Sequence, residues 1–214
     1  MSIISNAAQR LTPVVRHLII LNGLTFFAAL VAHRYGFDLF RLCALHFPSA
    51  SGFRLWQPFT YLFLHDGFAH LFCNLLPLFV FAPLFEARWG ARRFTIFYFA
   101  AGLGAALCQW LTWIPSLSVL PPGHPFLNHF ISVGASGAVF AILFAFGFTF
   151  PNAPLLIFPL PWPIKAKFFV AAYALFELVA GVAQVQGDSI AHFAHLGGML
   201  IAFLLLKLPR SPFK

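Results

Sequence analysis

The sequence predicts an all-α, polytopic membrane protein, a bundle of six transmembrane helices with almost no mass outside the bilayer. Hydrophobic residues make up 61% of its 214 residues, and only 8% are charged. A soluble domain carries about 25% charged residues, and a chain this apolar would expose large hydrophobic patches in water. Six apolar stretches each approach the roughly 20 residues that cross a bilayer as a helix. Together these observations predict a protein whose solvent is lipid.

The six predicted spans are separated mostly by short connections. They cover residues 14–32, 66–85, 94–113, 131–150, 168–185 and 189–206. Closely spaced prolines between residues 151 and 163 prevent a regular helix there and separate the fourth span from the fifth. The first connection, 33–65, mixes charged and apolar residues and is expected to lie in the membrane interface. One domain, 14–207, therefore holds every span, between a short N-terminal segment, 1–13, and a tail, 208–214.

The distribution of Lys and Arg predicts the orientation of the bundle. If the N-terminus is cytoplasmic, ten of the 13 basic residues lie on the cytoplasmic side, and only Arg34, Arg41 and Arg54 lie outside. This positive-inside bias predicts a multi-pass protein of the cell (inner) membrane with both termini in the cytoplasm. The net charge of +8 does not predict a nucleic-acid partner, because the basic residues cluster at helix ends rather than on one face.

Polar residues within three of the predicted spans converge at one depth. His70 and Asn74 lie four residues apart, on one face of the second span. The fourth span carries Ser136 near its start, and the sixth carries His192 and His195. All three spans enter from outside, which puts these groups roughly 6–12 Å below the outer surface. Polar groups in the hydrocarbon are costly and usually functional, so the convergence predicts an active site that opens to the extracytoplasmic side.

Small residues predict that the fourth and sixth spans pack together. Gly134 and Gly137 lie on a small face of the fourth span, and Gly198 lies on a small face of the sixth. Small faces let helix backbones approach closely in lipid, which would bring Ser136 towards His195. A serine beside a histidine is the minimal pair of nucleophile and general base. The expected donors to the developing oxyanion are His70, Asn74 and the Ser136 backbone N–H.

Five motifs occur in order along most of the chain. They are Trp56-Gln57-Pro58-Phe59-Thr60, the His65–Asn74 segment with His70 inside it, Glu86 with Gly90, Gly134-Ala135-Ser136-Gly137, and Ala194-His195-Leu196-Gly197-Gly198. In this order on six spans, the motifs resemble those of the rhomboid family of intramembrane serine proteases. The resemblance runs from about residue 56 to residue 206.

The resemblance implies a six-helix rhomboid-like bundle that cuts transmembrane protein substrates within the lipid bilayer, near its outer face. It implies Ser136 as the nucleophile, His195 as the general base, and His70 with Asn74 at the oxyanion. It implies no cofactor, and no metal is expected. The residues expected to support this site are Phe140, Gly134, Gly137, Gly198 and His65.

Three positions depart from the family pattern. The connection 33–65 is the first loop, and Gln57 stands where the family's motif in this loop has Arg. The difference bears on how the loop is anchored. Phe140 stands where the family often has Tyr, so its ring can still support the His195 imidazole but lacks a hydroxyl. Ala202 stands where a second glycine often follows Gly198, and it is still small enough for close packing.

Three further polar residues have simpler expected roles. His192 is expected to face water rather than to act as the base. Glu177, in the middle of the fifth span, could orient a histidine as a third catalytic member, but the sequence favours a hydrogen bond to a neighbouring helix. Glu86 lies near Arg88, Arg92 and Arg93, which predicts a surface or interface ion pair.

Alternative functions stay open beside the protease. A rhomboid-like pseudoprotease that binds membrane clients would share the fold but need neither Ser136 nor His195. A zinc protease would use the histidines as ligands, although the chain contains no His-Glu-x-x-His motif. A small transporter is disfavoured because the sequence has no convincing internal repeat.

Overall fold

The computed structural model describes residues 11–157, 160–183, 190–208 and 212–213. The α-helices within these ranges are α1 (Pro13–Arg34), α2 (Leu39–Cys43), α3 (Gln57–Thr60), α4 (Phe68–Trp89), α5 (Ala91–Leu117), α6 (Ser136–Thr149), α7 (Ala166–Ala183) and α8 (His192–Lys207). Two short antiparallel sheets join loops, and they pair β1 (Leu45–His46) with β2 (Ile131–Ser132) and β3 (Pro154–Leu155) with β4 (Ile164–Lys165). Single 3₁₀ turns cover Tyr61–Phe63 and Pro125–His129. The predicted all-α fold is confirmed.

Six of these helices match the six predicted spans in position. The helices α1, α4, α5 and α7 are long and apolar enough to cross a membrane, whereas α6 and α8 are apolar but shorter. The 14 residues of α6 rise about 21 Å, less than the roughly 30 Å of a hydrocarbon core. The helix α6 is therefore too short to cross a hydrocarbon core of this thickness by itself.

The predicted fourth span, 131–150, is wrong at its N-terminal end. Ile131–Ser132 forms β2 and pairs with Leu45–His46 of the first loop, and α6 begins only at Ser136. Gly134, between strand and helix, has a φ of +117°, which is incompatible with a right-handed helix. Its N–H donates to the Tyr61 carbonyl oxygen at 2.9 Å. A long-range strand pairing thus replaces the first turn of the predicted helix.

Some predicted boundaries lie outside the described residues. These are residues 1–10 of the N-terminal segment, the end of the fifth span at 185, the start of the sixth at 189, and residues 209–211 and 214 of the tail. Within the described ranges, α5 extends the predicted third span at both ends, from 94–113 to Ala91–Leu117.

The central helix of the bundle is α6, and small residues line its contact with α8. Every residue from 137 to 143 is buried. A Cβ on Gly198 would overlap the Gly137 carbonyl group, so the two backbones touch at this point. On another face of α8, a Cβ on Gly197 would collide with the Cys108 side chain of α5. The predicted packing of the fourth span against the sixth is therefore confirmed.

Gln57 anchors the first loop by hydrogen bonds from a fully buried side chain. Its amide nitrogen donates to the Gly52 carbonyl oxygen at 2.9 Å and to the Leu42 carbonyl oxygen at 3.3 Å. Its amide oxygen accepts from the His46 N–H at 3.4 Å. The adjacent Trp56 indole also donates to the Leu42 carbonyl oxygen, at 3.1 Å. A neutral amide at position 57 therefore holds the first loop together. The sequence had left open how this loop is anchored without the arginine.

Glu86 does not make the predicted ion pair with the nearby arginines. Its side chain is buried, and it accepts hydrogen bonds from the Thr12 hydroxyl and from the N–H groups of Val14 and Val15, both at 2.9 Å. The first N–H groups of a helix have no partner within the helix and carry partial positive charge. Glu86 of α4 therefore caps the N-terminus of α1 and joins the two helices.

Candidate active site

Ser136 is the first residue of α6 and is presented by the glycine turn before it. A Cβ on Gly134 would lie 2.6 Å from His70 Nε2, so this position requires glycine for space as well as for its φ angle. Ser136 is partly exposed, and the backbone N–H groups of its helical turn have no carbonyl partner within α6. The serine hydroxyl thus lies at a helix end that offers hydrogen-bond donors.

His195 lies against this serine. Its Nε2 is 2.8 Å from the Ser136 Oγ, and the residue is 8% exposed. The Phe140 ring, one helical turn after Ser136, stacks on the imidazole with the ring centroids 4.1 Å apart and the planes at 6°. Phe140 in turn packs against Tyr173 of α7, at 4.8 Å between centroids. The backbone contact between α6 and α8 and this stack hold the imidazole in line with the hydroxyl.

Glu177 of α7 contacts both histidines of α8. Its Oε2 accepts from His195 Nδ1 at 2.9 Å and from His192 Nδ1 at 2.7 Å. All three side chains are buried. The expectation that His192 faces water is therefore wrong, because α8 turns this side chain towards α7. Glu177 was expected to hydrogen-bond a neighbouring helix, and that helix is α8. Its partners on α8 include His195, the histidine that also contacts Ser136.

His70 approaches the serine from α4. Its Nδ1 lies 2.6 Å from Asp66 Oδ1, and this nitrogen carries the proton because the carboxylate can only accept. Its Nε2 faces the Gly134 backbone, since a Cβ placed there would lie 2.6 Å from Nε2 and 3.7 Å from the Ser136 Oγ. His70 and Ser136 therefore border the same space beside Gly134.

Asn74 lies one turn deeper in α4 and is buried. Its amide nitrogen donates to the His70 carbonyl oxygen at 2.9 Å, which leaves a second N–H for another acceptor. Its amide oxygen receives no hydrogen bond from the residues that the structure describes. The side chain is tied to its own helix, in register with His70.

His65 packs beneath His70 at the end of the first loop. The two rings meet edge to face with their centroids 4.9 Å apart, and His65 is 2% exposed. Burial, and next the nearby His70, lower the pKa of His65 to about 4. A neutral, buried imidazole at this place supports the position of His70, in keeping with the loop-ordering role expected from the sequence.

Comparison with known proteins places this arrangement in a family. Residues 52–210 match the family model of the Rhomboid domain. The chain belongs to the rhomboid family. The matched segment contains the first-loop motif and every helix that contributes to the site around Ser136.

Relatives of this rhomboid occur in bacteria, in mitochondria and in plants. Rhomboid protein 1 of Saccharomyces cerevisiae mitochondria is 33% identical over 142 residues, which are 66% of this chain and 38% of the yeast protein. RHOMBOID-like protein 1 of Arabidopsis thaliana is 32% identical over 152 residues, 71% of this chain and 33% of the plant protein. The rhomboid YdcA of Bacillus subtilis is 28% identical over 202 residues, 92% of this chain and 91% of YdcA. The chain thus spans only about a third of the yeast and plant proteins.

The structure brings the sequence-predicted residues of this rhomboid together and adds two carboxylates. Ser136, His195 and His70 meet near the N-terminal ends of α6, α8 and α4, and Phe140 lies on the imidazole. Asp66 was not singled out from the sequence, although its spacing of four residues before His70 is that of a helical pair. Glu177 had a clearer signal, since a carboxylate inside a span is costly and needs a partner.

The buried cluster of Glu177, His192 and His195 also has the composition of a metal site. One ligand atom from each residue lies within 4.8 Å of the others, and zinc accepts both imidazole and carboxylate ligands. Both Nδ1 atoms, however, point at one carboxylate oxygen at hydrogen-bond distance, and His195 Nε2 is occupied by Ser136. Hydrogen bonding within the protein accounts for these contacts. That the site binds no metal therefore stays a prediction.

Proposed function

We propose that this rhomboid is an intramembrane serine endopeptidase that hydrolyses peptide bonds in or near the transmembrane segments of membrane proteins. Ser136 is the nucleophile and His195 is the general base. The observation that carries the proposal is the 2.8 Å contact between Ser136 Oγ and His195 Nε2, made by two short helices within the bundle. Family membership supports the same class of activity.

The proposed reaction moves one proton between these two side chains. His195 Nε2 accepts the Ser136 hydroxyl proton as Oγ attacks the carbonyl carbon of the scissile bond. The resulting oxyanion takes hydrogen bonds from the α6 N-terminus, from the free N–H of the Asn74 amide, and from His70 Nε2 when that ring is doubly protonated. His195 then gives its proton to the leaving amine, and water releases the acyl group from Ser136 with the same base.

Asn74→Ala is expected to slow cleavage by about 10²–10³-fold, because one oxyanion donor typically contributes that much to kcat. Initial rates on a reporter transmembrane segment in reconstituted membranes measure the effect. Asn22→Ala is the matched control, since Asn22 is also buried and also donates to the carbonyl four residues earlier, but in α1. The control is expected to keep the native rate. An Asn74→Ala protein that also cleaves at the native rate would make Asn74 a structural residue.

Substrate segments reach Ser136 sideways from the lipid, past α7. This helix is the least enclosed of those around the site, and within it only Ala166, Val170, Glu177 and Gly181 are buried. Its bulky residues Phe168, Phe176 and Leu178 are about half exposed towards lipid. A helix held by few side chains can move with the least loss of packing.

The protein is proposed to lie in the cell membrane with both termini in the cytoplasm and Ser136 near the outer face. In a background in which Cys43, Cys73 and Cys108 are replaced by alanine, Ser118→Cys is expected to react with an impermeant thiol reagent added to intact cells. Ile164→Cys is expected to react only after the membrane is permeabilised, because the positive-inside rule places it in the cytoplasm. The reverse pattern would contradict the proposed orientation.

The proposal is tested by cleavage of a reporter transmembrane segment by the reconstituted native protein. Two fragments are expected, and mass spectrometry is expected to map the cut to the outer half of the reporter span. The alternative is a catalytically silent pseudoprotease that binds membrane clients. Reporters that bind the native protein and are never cut would favour that alternative over the protease.

A further inference from the structure

We propose that Glu177 is a positioning residue for His195, and that His192 holds the Glu177 carboxylate in place for this task. The inference rests on the proposed function, and it adds a third member to the pair of Ser136 and His195. The sequence favoured a structural hydrogen bond for Glu177 and a dyad without an acid. The contacts of the Glu177 carboxylate lead to a different assignment.

The position of protons in the hydrogen-bond chain gives Glu177 its role. Ser136 can donate to His195 Nε2 only if that nitrogen is unprotonated, so the neutral ring carries its proton on Nδ1. That Nδ1 lies 2.9 Å from Glu177 Oε2, which can only accept. The carboxylate therefore selects the tautomer in which His195 can act as a base. It also stabilises the imidazolium that forms when the Ser136 proton arrives.

The burial of these groups makes the charge of Glu177 effective. Glu177 is 2% exposed and His195 is 8% exposed, so little water screens the interaction between them. Phe140 covers one face of the imidazole at 4.1 Å and prevents the ring from leaving the line between the carboxylate and the serine. An isolated carboxylate would be costly at this depth, and two imidazole N–H groups offset that cost.

His192 provides the second of these N–H groups. It lies one helical turn before His195 on α8, and its Nδ1 is 2.7 Å from the same Oε2 atom. Two donors that converge on one oxygen define the direction of the carboxylate better than one donor does. Gly181, one turn after Glu177, allows α7 to come this close, because a Cβ there would lie 3.0 Å from the Phe193 ring and 3.1 Å from the His192 Cβ.

The competing explanation is that Glu177 only joins α7 to α8. A polar contact between transmembrane helices stabilises their association, and its loss would lower the unfolding temperature or change substrate access through α7. It would not change the intrinsic reactivity of Ser136 towards a small reagent. The rate at which a fluorophosphonate labels Ser136 therefore separates the two roles.

The test compares Glu177→Gln with the native protein and with Val179→Ala, a control on the lipid-exposed face of the same helix. Glutamine keeps the size of the side chain and removes its charge. We expect Glu177→Gln to lower both the labelling rate and kcat by at least about 10-fold, since loss of the acid from a Ser-His-Asp triad costs far more than this in another protease. KM and the unfolding temperature are expected to stay close to native, and Val179→Ala is expected to behave as the native protein.

Labelling of Glu177→Gln at the native rate would overturn the positioning role and leave the dyad intact. Absence of labelling in the native protein would instead contradict the proposed function itself. If Glu177→Gln does not fold, the labelling rate of His192→Phe is the test instead. This variant keeps the Glu177 contact with His195 and removes the second donor to the carboxylate. We expect His192→Phe to label several-fold more slowly than the native protein, and a native rate would overturn the proposal.

Discussion

Replacing Ser136 with alanine is expected to abolish cleavage of a reporter transmembrane segment while leaving the fold intact. In the proposed mechanism the hydroxyl forms the acyl intermediate, and Oγ lies 2.8 Å from the His195 Nε2 that takes its proton. Loss of the serine or the histidine of such a pair has lowered kcat by about 10⁶-fold in another serine protease. His195→Ala is expected to be as inactive, because no base then takes the serine proton.

Initial rates in proteoliposomes measure this loss, and thermal unfolding in detergent verifies that each variant folds. Ser116→Ala and His17→Ala are the matched controls, since both residues are exposed on other helices. Both controls are expected to cleave at the native rate. Residual cleavage by Ser136→Ala above that of an empty membrane would mean that another residue is the nucleophile.

Gly198→Ala is expected to destabilise the bundle and to abolish activity together. The added Cβ would overlap the Gly137 carbonyl group, which belongs to a helix backbone and cannot rotate aside as a side chain can. The helices α6 and α8 would have to separate, and overpacking of this kind costs about 1–3 kcal/mol or more. The same separation would lengthen the distance between Ser136 and His195.

Thermal unfolding and reporter cleavage measured on the same preparations show both effects. Gly23→Ala is the matched control, because it lies inside α1 with no atom near the position of the new Cβ. That change is expected to leave activity unchanged and to stabilise the protein slightly, by about 0.4–1 kcal/mol. A Gly198→Ala protein with native stability and activity would show that close contact between α6 and α8 is not required.

The spans and the main site residues were predictable because lipid imposes simple rules. Helix length and apolar composition predict the spans, and the cost of polar groups in hydrocarbon singles out Ser136, His195 and His70 from the sequence. The N-terminal end of the fourth span was mispredicted because Ile131 is as apolar as a helix residue would be. Its strand pairing with His46 depends on a contact across 85 residues of chain, and hydropathy carries no information about such a partner.

The arrangement around Glu177 could not be predicted for a related reason. The sequence shows that a carboxylate lies in the fifth span and that two histidines lie three residues apart in the sixth. It does not give the rotation of α7 and α8 about their axes, which decides whether Glu177 faces lipid, a neighbouring backbone or His195. Side-chain packing at Gly181 and Phe140 sets that rotation. The capping of α1 by Glu86 was missed likewise, because the arginines nearby in sequence suggested a different partner.

The central claim is that His195 activates Ser136, and labelling with a fluorophosphonate in native membranes tests it most directly. One adduct per chain is expected, carried by the peptide that contains Ser136. No adduct is expected in Ser136→Ala, and the rate in His195→Ala is expected to fall to that of an ordinary serine. An unlabelled native protein, or an adduct that persists in Ser136→Ala, would contradict the account.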